Sequence, residues 1–299
     1  MDHLPPHTPP HELLDMKLRE LTELSETDAD ALSERLLLEI ESTDWAEEDK
    51  SLVQHALADA ARIHAGDKQG TRPVIVHPLR NAIRILSRDH FAVRDRPDLV
   101  IAALLHDTVE DRPLRWLSDE ASDVYDQDLS GLTHDQLCDI QNAAYAAISQ
   151  RYSPRIASLV KYLTRSPYPD AILQGNPHIL VDKTLRKAKW EFYSNDIRSL
   201  FHEFDAGGAK IVKLSDYIDN FAGAIRYHEK PERRVNYARK YIDLAPTVKN
   251  FVVSSRILTD EKVKERILRQ IDAAVALANR LLEEDVPIDA LQAPNHIAM

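Results

Sequence analysis

The chain has 299 residues, with 49 acidic against 38 basic side chains, a formal net charge of −11 and one cysteine, Cys138. This length supports one or two domains with a substantial core, and the negative balance excludes binding of nucleic acid through a general basic surface. The lone cysteine excludes an intrachain disulfide and any Cys-rich zinc module, while the absence of a secretory leader pattern or a membrane-length apolar run predicts a cytoplasmic protein without a membrane partner.

Only seven glycines occur, and Ala, Leu, Ile, Glu, Lys and Arg dominate. That composition predicts an all-α fold. Residues 1–11, with four prolines and His3, His7 and His11, read as a solvated arm rather than a metal tract. Leu18, Leu21 and Leu24, then Leu32, Leu36, Leu37 and Ile40, predict one or two amphipathic helices before residue 42. Asp44-x-x-Glu47 marks the next helix start, and Leu52, Val53, Ala56, Ala60 and Ile63 keep its period up to His64. Residues 65–73 read as a loop turned by Gly66 and Gly70. His77-Pro78 leads into a helix that turns Ala82, Ile83, Ile85 and Leu86 inward.

Asp95-Arg-Pro97 caps a central helix with Val100, Ile101, Leu104 and Leu105 as its apolar stripe, and Arg112-Pro113 ends it. Residues 113–135 are acidic and loop-like, with room for a short helix. Helices follow near 135–150, 153–165 and 183–204. Gly207-Gly208 opens another, with Ile211, Leu214, Ile218, Phe221 and Ile225 on its apolar face, and two more near 231–243 and 260–284 complete the chain. The reading is therefore an N-terminal arm and helices over 1–41, a main domain over 42–228 with a helical insertion at about 113–205, and a helical extension over 229–299.

The chemistry concentrates in Ala103-Leu-Leu-His106-Asp107-Thr-Val-Glu110-Asp111. On a continuous helix His106 lies above Glu110 and Asp107 above Asp111. Four ionisable groups leaving a core helix are costly to place without a cation or substrate between them. His77, His106, Asp107 and a later carboxylate, Asp216, form a donor set suited to Mn²⁺, Fe²⁺, Co²⁺ or Zn²⁺. Glu110 and Asp111, one turn further on, are placed to orient a water or protonate a leaving phosphate. Asn220, one turn after Asp216, could hydrogen-bond a sugar hydroxyl or a base. Taken singly, each residue has a plainer explanation: His77-Pro78 as a helix start, Glu110-Asp111 as a polar helix end, Asp216 and Asn220 as a solvated face. Their combined order and register carry the weight.

Five segments, Ala61-Arg-Ile-His64-Ala-Gly66, Val74-Ile-Val-His77-Pro78-Leu79, Ala102 to Asp111, Ile156 to Thr164, and Ala209-Lys-Ile-Val-Lys213-Leu-Ser-Asp216 with Asn220, occur in this order. The set resembles the HD-domain superfamily of metal-dependent phosphohydrolases, and within it the (p)ppGpp hydrolase domain of RelA/SpoT enzymes and their stand-alone small relatives. The resemblance implies an all-helical bundle and one metal, usually Mn²⁺, held by His77, His106, Asp107 and Asp216. It implies that Glu110 and Asp111 act on the water or the leaving group, that His64 is structural, and that the reaction removes pyrophosphate from the 3′ position of ppGpp or pppGpp. The chain departs from the pattern in several places. The loop before His77 is shorter and carries Lys68 and Arg72 where the family presents an Arg-Lys pair to the phosphates. Gly223 replaces a threonine, and the segment between Asp111 and Asp216 is longer.

Lys68, Arg72 and Lys213 are the candidates to balance phosphate charge. The expected partner is a small anionic nucleotide. Two further readings stand beside this one: hydrolysis of another nucleoside phosphate or phosphorylated cofactor, and a non-catalytic nucleotide sensor built on the same fold. The acidic stretch over 117–128 lacks the calcium-hand pattern, and Trp45, Trp116 and Trp190 read as packing residues. Leu268, Ile271, Val275 and Leu282 form a stripe that would serve a homo-oligomer or an internal core equally well.

Overall fold

The computed structural model describes residues 28–69, 72–87, 91, 93, 96–117, 129–169, 183–203, 206–223, 225 and 231–283. The fold is all-α, interrupted among the described residues by one minimal hairpin. The amino-terminal arm, the leucines before residue 28, Gly70, Asp95 and the acidic stretch over 118–128 lie outside the described residues. The described residues divide into two compact units, one running to Ser215 and including Arg256–Thr259, the other of Asp216–Ser255 and the residues from Asp260 on.

In the larger unit, α1 spans Ala29–Glu41 and buries Leu32, Leu36 and Ile40. The carboxylate of Asp28 caps it by accepting from the backbone N–H groups of Asp30 and Ala31 at 2.9 and 3.3 Å. α2 covers Glu47–Ile63 with Ala46 at its N-cap and no side-chain cap, so Asp44 does not play the capping role its spacing suggests. Three acids in its first turn favour the start electrostatically instead. Beyond it, Gly66 adopts φ +81°, a left-handed turn that a side chain would strain. The expected loop then contains a short antiparallel pair, β1 (Lys68–Gln69) and β2 (Arg72–Pro73), with Lys68 opposite Pro73.

α3 (Val76–Leu86) carries His77 and Pro78 in its first turn. α4 (Pro97–Leu105) starts with proline at N1 and buries every residue from Leu99 to Leu105. It is therefore apolar all round rather than striped, as befits a helix packed by α2, α3 and a later helix together. Each fully buried Leu, Ile or Val there contributes roughly 1.5–3 kcal/mol relative to exposure.

The sequence pattern predicts a helix running on through Asp111, but the structure breaks it. α4 ends at Leu105, and a separate turn, α5, spans Thr108–Asp111. Two side chains cause the break. His106 Nδ1 donates to Ala103 O at 2.7 Å, and Thr108 Oγ1 donates to Leu105 O at 2.6 Å. Both carbonyls would otherwise serve the next turn of the helical ladder. Trp116, expected only to pack, also donates from Nε1 to Thr108 Oγ1 at 3.0 Å.

Short 3₁₀ turns follow at Pro113–Trp116 and Leu129–Gly131. Next come α6 (His134–Arg151), capped by a Thr133–Gln136 capping box, and α7 (Pro154–Leu163), which packs on α6 and α4. α8 covers Lys183–His202, and α9 covers Gly207–Ile218, crossing from one unit into the other after Ser215.

The smaller unit continues from α9 into a π-helical turn, Asp219–Gly223, instead of the α-helix predicted through Ile225. It then holds α10 (Pro231–Ile242), α11 (Ala245–Ser254) and α12 (Glu261–Glu283). α11 is missing from the sequence reading, although Pro246 in its first turn is a recognisable start signal. α12 buries Val263, Ile267, Gln270, Ile271, Ala274 and Ala278. This face meets α10, α11 and the π turn, and so serves the unit's own core. No described helix is long and apolar enough to cross a membrane.

Candidate metal centre

Three of the expected ligands meet within the larger unit. His77 lies in the first turn of α3, His106 caps the end of α4, and Asp107 opens α5. One ligand atom from each lies within 4.8 Å of the others. The two Nε2 atoms are 3.2 Å apart, His106 Nε2 is 3.1 Å from Asp107 Oδ1, and His77 Nε2 is 3.7 Å from Asp107 Oδ2. The break after Leu105 turns His106 and Asp107 toward α3, so it is part of how the cluster is made.

The hydrogen bond of His106 Nδ1 to Ala103 O assigns the proton to Nδ1 and leaves a lone pair on Nε2. His77 Nε2 likewise accepts from Asn81 Nδ2 at 3.2 Å. Nε2 of both imidazoles and the Asp107 carboxylate thus border one small space, where a divalent cation would take the His106 lone pair and replace Asn81 as the partner of His77 Nε2. Among the described residues, this cluster fits a metal ion.

Behind His77 lies a polar network missed by the sequence reading. Asn81 Oδ1 accepts from Ser215 Oγ at 2.8 Å and from the buried Arg84 at 3.2 Å, and Arg84 also reaches Ser215 Oγ at 3.1 Å. It orients the Asn81 amide, whose Nδ2 donates to the same His77 nitrogen that faces His106 and Asp107. Asn81 stands four residues after His77, a spacing that marks it as a neighbour on the helix face.

Asp216, the fourth expected ligand, follows Ser215 on α9 and belongs to the smaller unit. It is buried, and its Oδ1 accepts from Asn220 Nδ2 at 2.5 Å, so that the amide read as a nucleoside contact bonds Asp216 here.

Glu110 points to the insertion. Its Oε1 pairs with Arg165 Nη2 at 2.9 Å, and its Oε2 accepts from the Arg165 backbone N–H at 3.3 Å. Arg165 lies just past α7, far from Glu110 in sequence, and nothing in the local pattern announces it. Asp111 lies at the surface. Crowding by surrounding protein and the charges of Asp107 and Glu110 raise its carboxyl above the ordinary range. Because its side chain opens to solvent, water tempers the burial contribution.

The expected phosphate contacts separate. Lys68 is exposed on β1, the Arg72 side chain lies outside the described residues, and Lys213 is buried on α9. Asp67, beside Lys68, is taken up by Arg112, whose Nε and Nη2 donate to its two oxygens at 2.9 and 2.6 Å. His64 is buried, as the structural role implies.

Compared with known proteins, the chain matches no family model, no curated protein and no solved structure.

Proposed function

We propose that the protein is a metal-dependent phosphohydrolase acting on a nucleotide, with ppGpp 3′-pyrophosphate hydrolysis as the leading activity. The observation that carries this reading is the convergence of His77, His106 and Asp107 on one cation-sized space. In the proposal Asp216 is the fourth ligand and Mn²⁺ the metal, both from the resemblance to HD-domain hydrolases. When bound, a divalent cation supplies Lewis acidity, polarising a phosphoryl oxygen and acidifying water.

The chain's own groups divide the remaining work. Glu110, fixed by two contacts from Arg165, orients the attacking water. Asp111, whose carboxyl is raised by crowding and by its acidic neighbours before a cation binds, delivers a proton to the leaving oxygen. In the proposal Asn81 yields His77 Nε2 to the cation, and Asn220, by the resemblance, contacts the nucleoside.

Purified protein is expected to contain about one divalent metal per chain and to release pyrophosphate from ppGpp, with both lost to chelator. Asp107→Ala should cost about a hundredfold or more in rate and abolish metal retention. Undiminished, metal-dependent hydrolysis by that variant refutes the reading. A panel of nucleoside phosphates and phosphorylated cofactors in the same assay separates ppGpp from other substrates. Nucleotide binding without turnover by the metal-loaded protein would instead favour a sensor.

A further inference from the structure

The segment between Asp111 and Asp216 brings a second set of groups toward Glu110. Arg165, paired with Glu110, donates from Nη1 to the Tyr168 hydroxyl at 2.8 Å, and its guanidinium lies 4.5 Å from the centroid of the Tyr168 ring. From α8, Lys189 Nζ lies 5.2 Å from the same centroid, and the Phe192 ring stands 5.5 Å from it. Two cations therefore share one aromatic ring. The ring attracts each of them, but they repel one another.

Glu110 neutralises Arg165, whereas no carboxylate among the described residues forms an ion pair with Lys189. Burial and the Arg165 charge hold the Lys189 ammonium below its usual range. An anion seated against both cations would offset that repulsion and gain charge-assisted hydrogen bonds. The hairpin, by contrast, leaves Lys68 in solvent and commits Asp67 to Arg112.

We propose that Lys189 and Arg165, gathered on the Tyr168 ring, receive a phosphate or pyrophosphate group of the substrate. Phosphate recognition is thus supplied by the inserted helix α8 rather than by the hairpin before His77. This rests on the phosphohydrolase reading and specifies its substrate class: a nucleotide with a second phosphorylated position besides the one that is cut. Arg165, which also fixes Glu110, adds its charge to the anion site, while Lys189 contributes mobile donors on a partly buried stem.

The test uses the full chain, with Lys189→Gln and Lys189→Arg compared with the parent after matching their circular dichroism. Inorganic pyrophosphate binding to chelator-treated protein is measured by calorimetry, and ppGpp kinetics are measured with Mn²⁺. Lys189→Gln is expected to weaken pyrophosphate binding about tenfold and to raise KM for ppGpp by a similar factor, with kcat within about twofold. Lys189→Arg should restore both. Pyrophosphate affinity indifferent to Lys189→Gln, or no pyrophosphate binding by the parent, overturns the anion site. So does ppGpp hydrolysis whose KM ignores the substitution, and that result leaves the phosphohydrolase reading standing. Lys189-dependent pyrophosphate capture by a protein that hydrolyses no nucleotide refutes that reading and upholds the anion site.

Discussion

At the scale of single residues, His64 shows how burial controls chemistry here. Its ring is fully buried at the end of α2, neither nitrogen has a hydrogen-bond partner among the described residues, and Asp67 Oδ2 stands 3.9 Å away. Burial pushes its pKa down to about 4, against the opposing pull of Asp107 and Asp67. The unfolded chain therefore takes up this proton first. Stability is full above the unfolded value near 6.5 and is lost as pH falls from there toward 4, by at most about 3 kcal/mol. Urea unfolding of chelator-treated protein at pH 7 and pH 4.5 should show this loss, and His64→Leu should flatten it. Equal pH dependence in both proteins would remove His64 as the cause. His77, His106 and Asp107 were legible because metal-ligand residue types recur in a known order. Asn81 needed only helical spacing, yet its role became plain only once Ser215 and Arg84 were seen to turn its amide.

At the scale of elements, apolar period predicted most helices to within a few residues. The failures lie where side chains compete with the backbone. Period alone could not reveal that His106 and Thr108 would capture carbonyls and split the central helix. Nor could it announce the π turn at Asp219–Gly223. Gly207-Gly208 was legible as a helix start, but the reason for the second glycine is tertiary. A Cβ at Gly208 would lie 2.5 Å from Leu99 Cδ2 and 3.1 Å from Arg96 Nη2, because α9 crosses close to α4. Gly208→Ala should therefore destabilise the fold by about 1–3 kcal/mol in thermal or urea unfolding, despite alanine's better helix propensity. An unchanged or raised midpoint would show that Leu99 yields without cost.

At the scale of the whole molecule, binding at the His77–His106–Asp107 cluster is coupled to folding, since its three donors are contributed by α3, α4 and α5. A cation at a hundred times its Kd should add about 2.7 kcal/mol of stability, seen as a rise in Tm that chelator reverses. Asp107→Ala should abolish that rise. A metal-independent Tm in the parent protein would argue against a site in this cluster.

The amino-acid sequence by itself determined the helical class, the main apolar faces and the candidate donors His77, His106 and Asp107, because each is encoded in residue type and local spacing. Tertiary structure alone decided which donors face one another, that Arg165 holds Glu110, and that Lys189 and Arg165 meet on Tyr168. His77 with His106, Glu110 with Arg165, and Lys189 with Tyr168 are far apart along the chain, and their energies depend on distance and burial, neither of which a linear pattern contains.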